Sequence, residues 1–223
     1  MQTLVPVPRR RRFLVAASSA AATLGFPALA SAVRALPRMT EGPFYPPLAY
    51  RARGIDWDAD LTTVRDRAPD GRSPPRAAGE HLDLLGVLQD SAGRPIDRAE
   101  LEIWQCDAFG SYRHPRGAGA RIDDAFQGFG STRSDRDGAF AFRTIRPVAY
   151  PGRTPHIHVK LRHPAFGETT SQLFVAGEAA NARDGIFQSL AEAERAAVEL
   201  HLQRAPSGSA VTWFARPVLS AGA

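Results

Sequence analysis

Two histidines one residue apart, His156-Ile157-His158, are the first chemistry this chain offers. In an extended strand successive side chains alternate between faces, so both imidazoles point the same way, ready to chelate one metal ion. A lone H-x-H pair is more often an ordinary surface or core pair, so its neighbours decide the matter. Tyr150 lies just upstream in Tyr150-Pro151-Gly152-Arg153, where proline and glycine turn the chain and hold the phenol on a short tether. Tyr112 closes the segment Asp107-Ala108-Phe109-Gly110-Ser111-Tyr112, just after a strand pattern ends. Taken singly, each tyrosine reads as a core side chain whose hydroxyl finds a partner. Taken with the histidines, they form a donor set. A phenol has a pKa of about 10 and is neutral at pH 7. A trivalent iron lowers that pKa and binds the phenolate. Two phenolates and a hydroxide would offset the three charges of Fe(III), and two neutral imidazoles would complete the shell. Hard anionic oxygen donors favour ferric over ferrous iron. Such a site resists reduction and activates an organic substrate rather than binding O2 first.

Other metal chemistries fit less well. Cys106 is the only cysteine, which excludes an internal disulfide, an Fe–S cluster and a cysteine-rich zinc site. A zinc hydrolase built on His156 and His158 would want a third histidine or a carboxylate and a general base, and the chain has no H-E-x-x-H. His81, His114, His163 and His201 read as structural or exposed.

The elements that must position these residues lie downstream of a distinct leader. Arg9 to Arg12 are followed by Phe13-Leu14, an Ala-rich run and Ala28-Leu29-Ala30. That is a basic region, a short apolar region and a small-residue cleavage site. The order Arg10-Arg11-Arg12-Phe13-Leu14 fits a twin-arginine export signal over residues 1–30, and predicts a periplasmic or secreted protein with no membrane span left after cleavage. The whole chain of 223 residues carries +5, and without the four leader arginines the remainder is close to neutral. No basic stripe with interleaved aromatics is present, so nucleic acid is not an expected partner.

Residues 31–80 are rich in Pro, Arg and Gly and predict an extended arm and loop lying over the surface. Residues 81–223 predict a catalytic domain of short strands and frequent turns, that is, a mainly β protein folded as a β-sandwich. Leu84 to Gln89, Leu101 to Cys106, Ala139 to Phe142, Ser171 to Val175 and Thr212 to Phe214 read as strands. His156 to Leu161 alternates strictly, with His156, His158 and Lys160 on one face and Ile157, Val159 and Leu161 on the other. One short C-terminal helix is predicted over Ile186 to Leu202, from the spacing of Leu190, Ala193, Ala197 and Leu200.

Four segments resemble the intradiol ring-cleavage dioxygenases, above all the protocatechuate 3,4-dioxygenase-like members in a short exported form. They are Thr40 to Pro47, Leu85 to Tyr112, Phe126 to Pro147 and Tyr150 to Phe174. The most specific is Tyr150-Pro151-Gly152-Arg153-Thr154-Pro155-His156-Ile157-His158 with Tyr112 upstream. The resemblance implies one Fe(III) per chain, with Tyr112 and His156 as equatorial ligands and Tyr150 and His158 as axial ones. It implies a catechol-type aromatic diol and O2 as substrates, cleaved between the hydroxylated carbons to a cis,cis-muconate-type diacid. Tyr150 would swing out as the diol binds and act as a base. Arg153 would stabilise negative charge on the substrate, and Gln172 would stand beside the site. Self-association into a homo-oligomer is also implied.

The chain departs from the well-studied enzymes in three ways. Only five residues separate Tyr150 from His156, Gly152 stands where a bulky residue shapes the protocatechuate pocket, and a helical dimerisation domain like that of catechol 1,2-dioxygenases is lacking. The segment Gly86 to Leu101 is also similar to the strand–turn–strand of transthyretin-like and carboxypeptidase-regulatory modules, so a non-catalytic sandwich module is the competing expectation. The two-tyrosine, two-histidine set separates the two, because a structural module does not need it.

Overall fold

A computed structural model describes residues 34–52, 56–64, 74–117 and 119–222. The expected export signal lies outside these residues, as do parts of the loop before residue 74. Among the described residues there are ten strands: β1 (His81–Asp90), β2 (Glu100–Trp104), β3 (Phe129–Arg133), β4 (Ala139–Ile145), β5 (His156–His163), β6 (Gly167–Val175), β7 (Glu199–Leu200), β8 (Gln203–Arg204), β9 (Trp213–Ala215) and β10 (Val218–Ala221). They form two five-stranded sheets. In the first, β1 pairs antiparallel with β4 along one edge and parallel with β9 and β10 along the other, and β8 continues from β9. The second runs β3-β2-β5-β6-β7.

Strand alternation builds the space between the sheets. Leu82, Leu84, Leu88, Phe140 and Phe142 meet Leu101, Ile103, Ile157, Val159, Leu161 and Leu173 in one buried cluster. Burying each such side chain contributes roughly 1.5–3 kcal/mol. A sandwich core was the expected arrangement, and it puts the even-numbered residues of β5 on the outer face of the second sheet.

That outer face is not bare. Trp104, Cys106, Tyr112 and Phe129 form a second buried cluster, onto which Phe44, Tyr45, Tyr50 and Trp57 pack from the N-terminal segment. The same segment also enters the main core, through Leu36, Leu61 and Ala77. It thus does more than cover the surface: Leu61 N–H donates to Arg143 O and Gln127 N–H to Leu61 O, so local hydrogen bonds carry its apolar side chains inward. Leu48–Ala52 forms a short helix, α1.

Residues 186–202 differ from the single helix expected. Two short helices, α2 (Gly185–Gln188) and α3 (Glu192–Val198), are followed directly by β7. The break at Ala191 is held by Glu194, whose carboxylate accepts from Ala191 N–H at 2.8 Å, while Arg195 donates to Leu190 O and Gln188 O at the end of α2. Beyond Val198 the chain pairs in parallel with β6, Leu200 opposite Val175. Sheet pairing overrides the helical periodicity there.

Candidate metal centre

Register sets the floor of the site. Phe129, Trp104, His158 and Gln172 lie opposite one another across β3, β2, β5 and β6, and His156 lies opposite Phe174 one step along. His156 and His158 are 2% and 3% exposed, and their Nε2 atoms stand 3.2 Å apart. The Nδ1 of His156 is 2.7 Å from Thr154 O, which makes Nδ1 the protonated nitrogen and leaves the Nε2 lone pair facing inward. The indole of Trp104 stacks on His158 with centroids 4.7 Å apart and planes 10° apart.

Two loops bring the phenols. Tyr112 follows a turn closed by Asp107, whose carboxylate accepts from Phe109 N–H, Ser111 N–H and Asp123 N–H. Gly110 in that turn has φ +80 and packs against Tyr150. Tyr150 opens the tight turn in which Arg153 N–H donates to Tyr150 O at 2.9 Å. The four rings close a circuit: Tyr112 to Tyr150 is 5.5 Å between centroids, Tyr150 to His156 5.6 Å, His156 to His158 4.8 Å and His158 to Tyr112 6.1 Å. Three of the rings are buried and Tyr150 is half-exposed.

The charge states suit ligands. Burial, reinforced by the Arg153 charge, lowers the His156 pKa to about 4. Burial, then His156 and Arg153, pushes His158 well below the ordinary histidine value. Both imidazoles are therefore neutral at pH 7, the form that binds a metal. Burial first, and then Tyr150 beside it, raises the Tyr112 pKa well above the ordinary phenol value. The Tyr112 hydroxyl is buried and makes no hydrogen bond of ordinary geometry, with only the Tyr150 phenol beside it. A buried polar group left poorly satisfied costs about 1–3 kcal/mol, so this oxygen has room for a better partner than the neighbouring phenol. A hard trivalent cation fits: it would take the phenolate of Tyr112 and the two imidazoles through their Nε2 atoms, with the His158 proton moving to the unpartnered Nδ1. Among the described residues no group of three or more His, Cys, Asp or Glu side chains could hold a metal, so phenols are needed to complete the donor set.

Arg153 and Gln172 meet at the rim. Arg153 donates through Nη2 to Gln172 Oε1 at 2.5 Å, through Nη1 to Tyr150 Oη at 3.4 Å, and through Nε to Asp184 Oδ2 at 2.8 Å. All six residues singled out from the sequence therefore converge. Sequence reasoning gave no site role to Asp184, to Trp104 or to the strap formed by residues 39–45. Asp184 was legible only as the cap before a helix, since its carboxylate accepts from Ile186 N–H and Phe187 N–H. A cleft of about 220 Å³ lies behind Tyr112, lined among others by Tyr50, His114, Ile122 and Asp124, and none of the other three rings faces it.

Known proteins resemble this chain in sequence and in fold. Residues 49–214 match the family model described as Dioxygenase. The protocatechuate 3,4-dioxygenase beta chain of Burkholderia cepacia is 33% identical over 150 residues, covering 63% of this chain and 60% of that protein. Catechol 1,2-dioxygenase 2 of Acinetobacter lwoffii is 27% identical over 183 residues, covering 71% and 60%. The chain thus spans about 60% of the length of these curated relatives. Among solved structures, the dioxygenase domain of a dioxygenase carbohydrate-binding protein fusion from Streptomyces sp. SirexAA-E aligns with a TM-score of 0.61 at 25% identity, over 85% of this chain and 99% of that one.

Proposed function

Because the chain belongs to the intradiol ring-cleavage dioxygenase family, we propose that it cleaves a catechol-type aromatic diol between its hydroxylated carbons with O2, giving a cis,cis-muconate-type diacid. The reading places one Fe(III) among Tyr112, Tyr150, His156 and His158. The observation that carries it is the closed circuit of two phenols and two imidazoles, one phenol and both imidazoles buried. Bound there, ferric iron supplies the Lewis acidity that ionises the phenols and activates the diol towards O2.

The chain's own residues divide the remaining work. Tyr112, His156 and His158 are buried and fixed by packing, so they hold position. Tyr150 alone is half-buried and sits on a turn, so its ring has room to move, and its Oη would be the phenol oxygen placed to take a proton from an incoming diol. Arg153 presents a guanidinium 3.4 Å from Tyr150 Oη, where it would stabilise negative charge on that oxygen or on a substrate atom in its place. Asp184 and Gln172 keep the guanidinium from turning away. Trp104 and Phe44, packed on His158 and Tyr112, exclude water from the buried side.

Export belongs to the same proposal. It rests on the leader pattern of residues 1–30, and the mature N-terminus of secreted protein would test it. Among the described residues no helix is long and apolar enough to cross a membrane.

The deciding experiment uses iron-loaded protein. Phenolate-to-iron charge transfer should colour it red-brown, and catechol-type diols should drive O2 uptake with a muconate-type product. His158→Ala should lose the iron, the colour and the cleavage, while its far-ultraviolet circular dichroism remains that of a β protein. Full iron occupancy and normal turnover in that variant would contradict the assignment.

A further inference from the structure

The outer face of the second sheet carries a charged side chain that the donor set does not use. Lys160 lies two residues past His158 on the same face and is 4% exposed. A buried ammonium is costly unless it is paired. Two of its partners arrive from more than a hundred residues upstream. Nζ pairs with the carboxylate of Glu41 and lies 4.1 Å from the centre of the Tyr45 ring, with Glu168 Oε1 at 3.5 Å on its other side. Glu41 and Tyr45 belong to the strap. Tyr45 is itself pinned, since its hydroxyl donates to Glu102 Oε2 at 2.6 Å and accepts from Arg162 Nη2 at 3.1 Å. Met39 N–H donates to Thr170 O at the strap's start.

Around these anchors the strap touches the donor set. Gly42 has φ +73, and the position its Cβ would take is 3.5 Å from His158 Cε1. The Phe44 ring stacks on Tyr112 with centroids 4.7 Å apart. Thr40 O accepts from Gln172 Nε2 at 3.4 Å, and Gln172 in turn holds Arg153. One short segment therefore rests on both a buried imidazole and a buried phenol, and reaches the rim arginine through a single amide.

We propose that Lys160 is a positioning residue of the metal centre: its ion pair with Glu41 clamps the strap onto His158 and Tyr112, and so sets how firmly the site holds its metal. The inference rests on the ferric reading above. A role confined to the fold would look different. Methionine keeps the volume of Lys160 and removes the buried charge, and the carboxylates it leaves, Glu41 and Glu168, are 42% and 51% exposed and stay hydrated, so this variant tests the clamp without emptying the core or burying an unpaired charge.

The experiment compares iron-loaded full-length wild type with Lys160→Met, Glu41→Gln, Lys160→Arg and the double variant Lys160→Met/Glu41→Gln. It reads the position of the visible phenolate-to-iron band and the rate of iron release to a chelator, with circular dichroism reporting the fold. Lys160→Met and Glu41→Gln should each release iron about tenfold faster, with a displaced band and an unchanged β spectrum. The double variant should release iron no faster than Lys160→Met, because both substitutions break one pair. Lys160→Arg, which keeps the charge, should restore most of the retention. Glu41 is half-exposed, so its variant keeps the test decisive even where Lys160→Met does not fold. A wild-type band and release rate in Glu41→Gln overturn the clamp alone. A wild type that takes up no iron overturns the ferric reading and the clamp together.

Discussion

Asp184 makes four hydrogen bonds with one carboxylate: Oδ2 accepts from Arg153 Nε and Thr154 N–H, and Oδ1 from Ile186 N–H and Phe187 N–H. It thereby ties the start of α2 to the turn that carries Arg153 and to the residue whose carbonyl orients His156. Burial by itself would raise its pKa. The N–H groups of Phe187 and Thr154, with the Arg153 guanidinium, more than reverse that, so its pKa lies below the ordinary carboxylate value. The sign of the pH effect follows. A carboxyl whose folded pKa is depressed stabilises the fold above its unfolded pKa of about 4, and loses that contribution as pH falls through the folded value. Asp184→Asn is predicted to destabilise the metal-free protein at pH 7 by about 3 kcal/mol, since a buried charge pair is broken. The gap to wild type should shrink towards pH 3. Urea unfolding of both proteins at the two pH values checks this, and an equal gap at both would count against it. The same residue marks the limit of what sequence spacing can reveal. Tyr150, Arg153, His156 and His158 sit within nine residues, so strand alternation and one turn place them together. Asp184 arrives 31 residues after Arg153 across a helix start, and only the tertiary fold joins them.

At the scale of elements, the N-terminal segment is where the sequence was least legible. Its proline-rich composition reads as a surface arm, yet Trp57 O accepts from both Ser131 N–H and Ser131 Oγ on β3, and Asp58 O accepts from Gln127 Nε2. Period-2 alternation reveals strands that pair with neighbours. It is silent about an irregular segment held by side-chain amides and hydroxyls. Helical spacing misled in the opposite direction at residues 186–202, where apolar residues serve two short helices and a strand in succession. Gly130 shows how closely the arm lies on β3. A Cβ there would come within 2.1 Å of Asp58 O, a main-chain atom that cannot swing aside. Gly130→Ala is predicted to push the segment off the strand and lower stability by about 1–3 kcal/mol, the usual cost of overpacking. The test is a chemical denaturation midpoint, together with proteolysis at residues 56–64. An unchanged midpoint would show that the contact yields without loss.

At the scale of the whole molecule, the sandwich is a stiff frame that holds four buried or half-buried donor side chains turned towards one another. The two buried imidazoles share a single hydrogen bond between Nε2 atoms 3.2 Å apart, and the buried Tyr112 hydroxyl makes no hydrogen bond of ordinary geometry, with only the Tyr150 phenol beside it. The frame holds them there because the opposite faces of the same strands are locked into the main core through Ile103, Ile157 and Leu173. Burying poorly paired donors costs free energy in the folded state only, and a metal bound to the folded state alone offsets that cost. Binding restricted to the native form stabilises it by RT ln(1 + [metal]/Kd), about 4 kcal/mol when free metal exceeds Kd a thousandfold. For a chain of this size each kcal/mol moves Tm by about 2–4 °C. Stripping ferric iron with a chelator is therefore predicted to lower Tm by about 10 °C, and reloading to restore it. The same treatment should leave Tm of His158→Ala unmoved, because one imidazole of the facing pair is gone. Calorimetry on loaded, stripped and reloaded protein decides the point: equal melting of loaded and stripped wild type would mean that the four rings are packed for the fold's own sake and not around a metal.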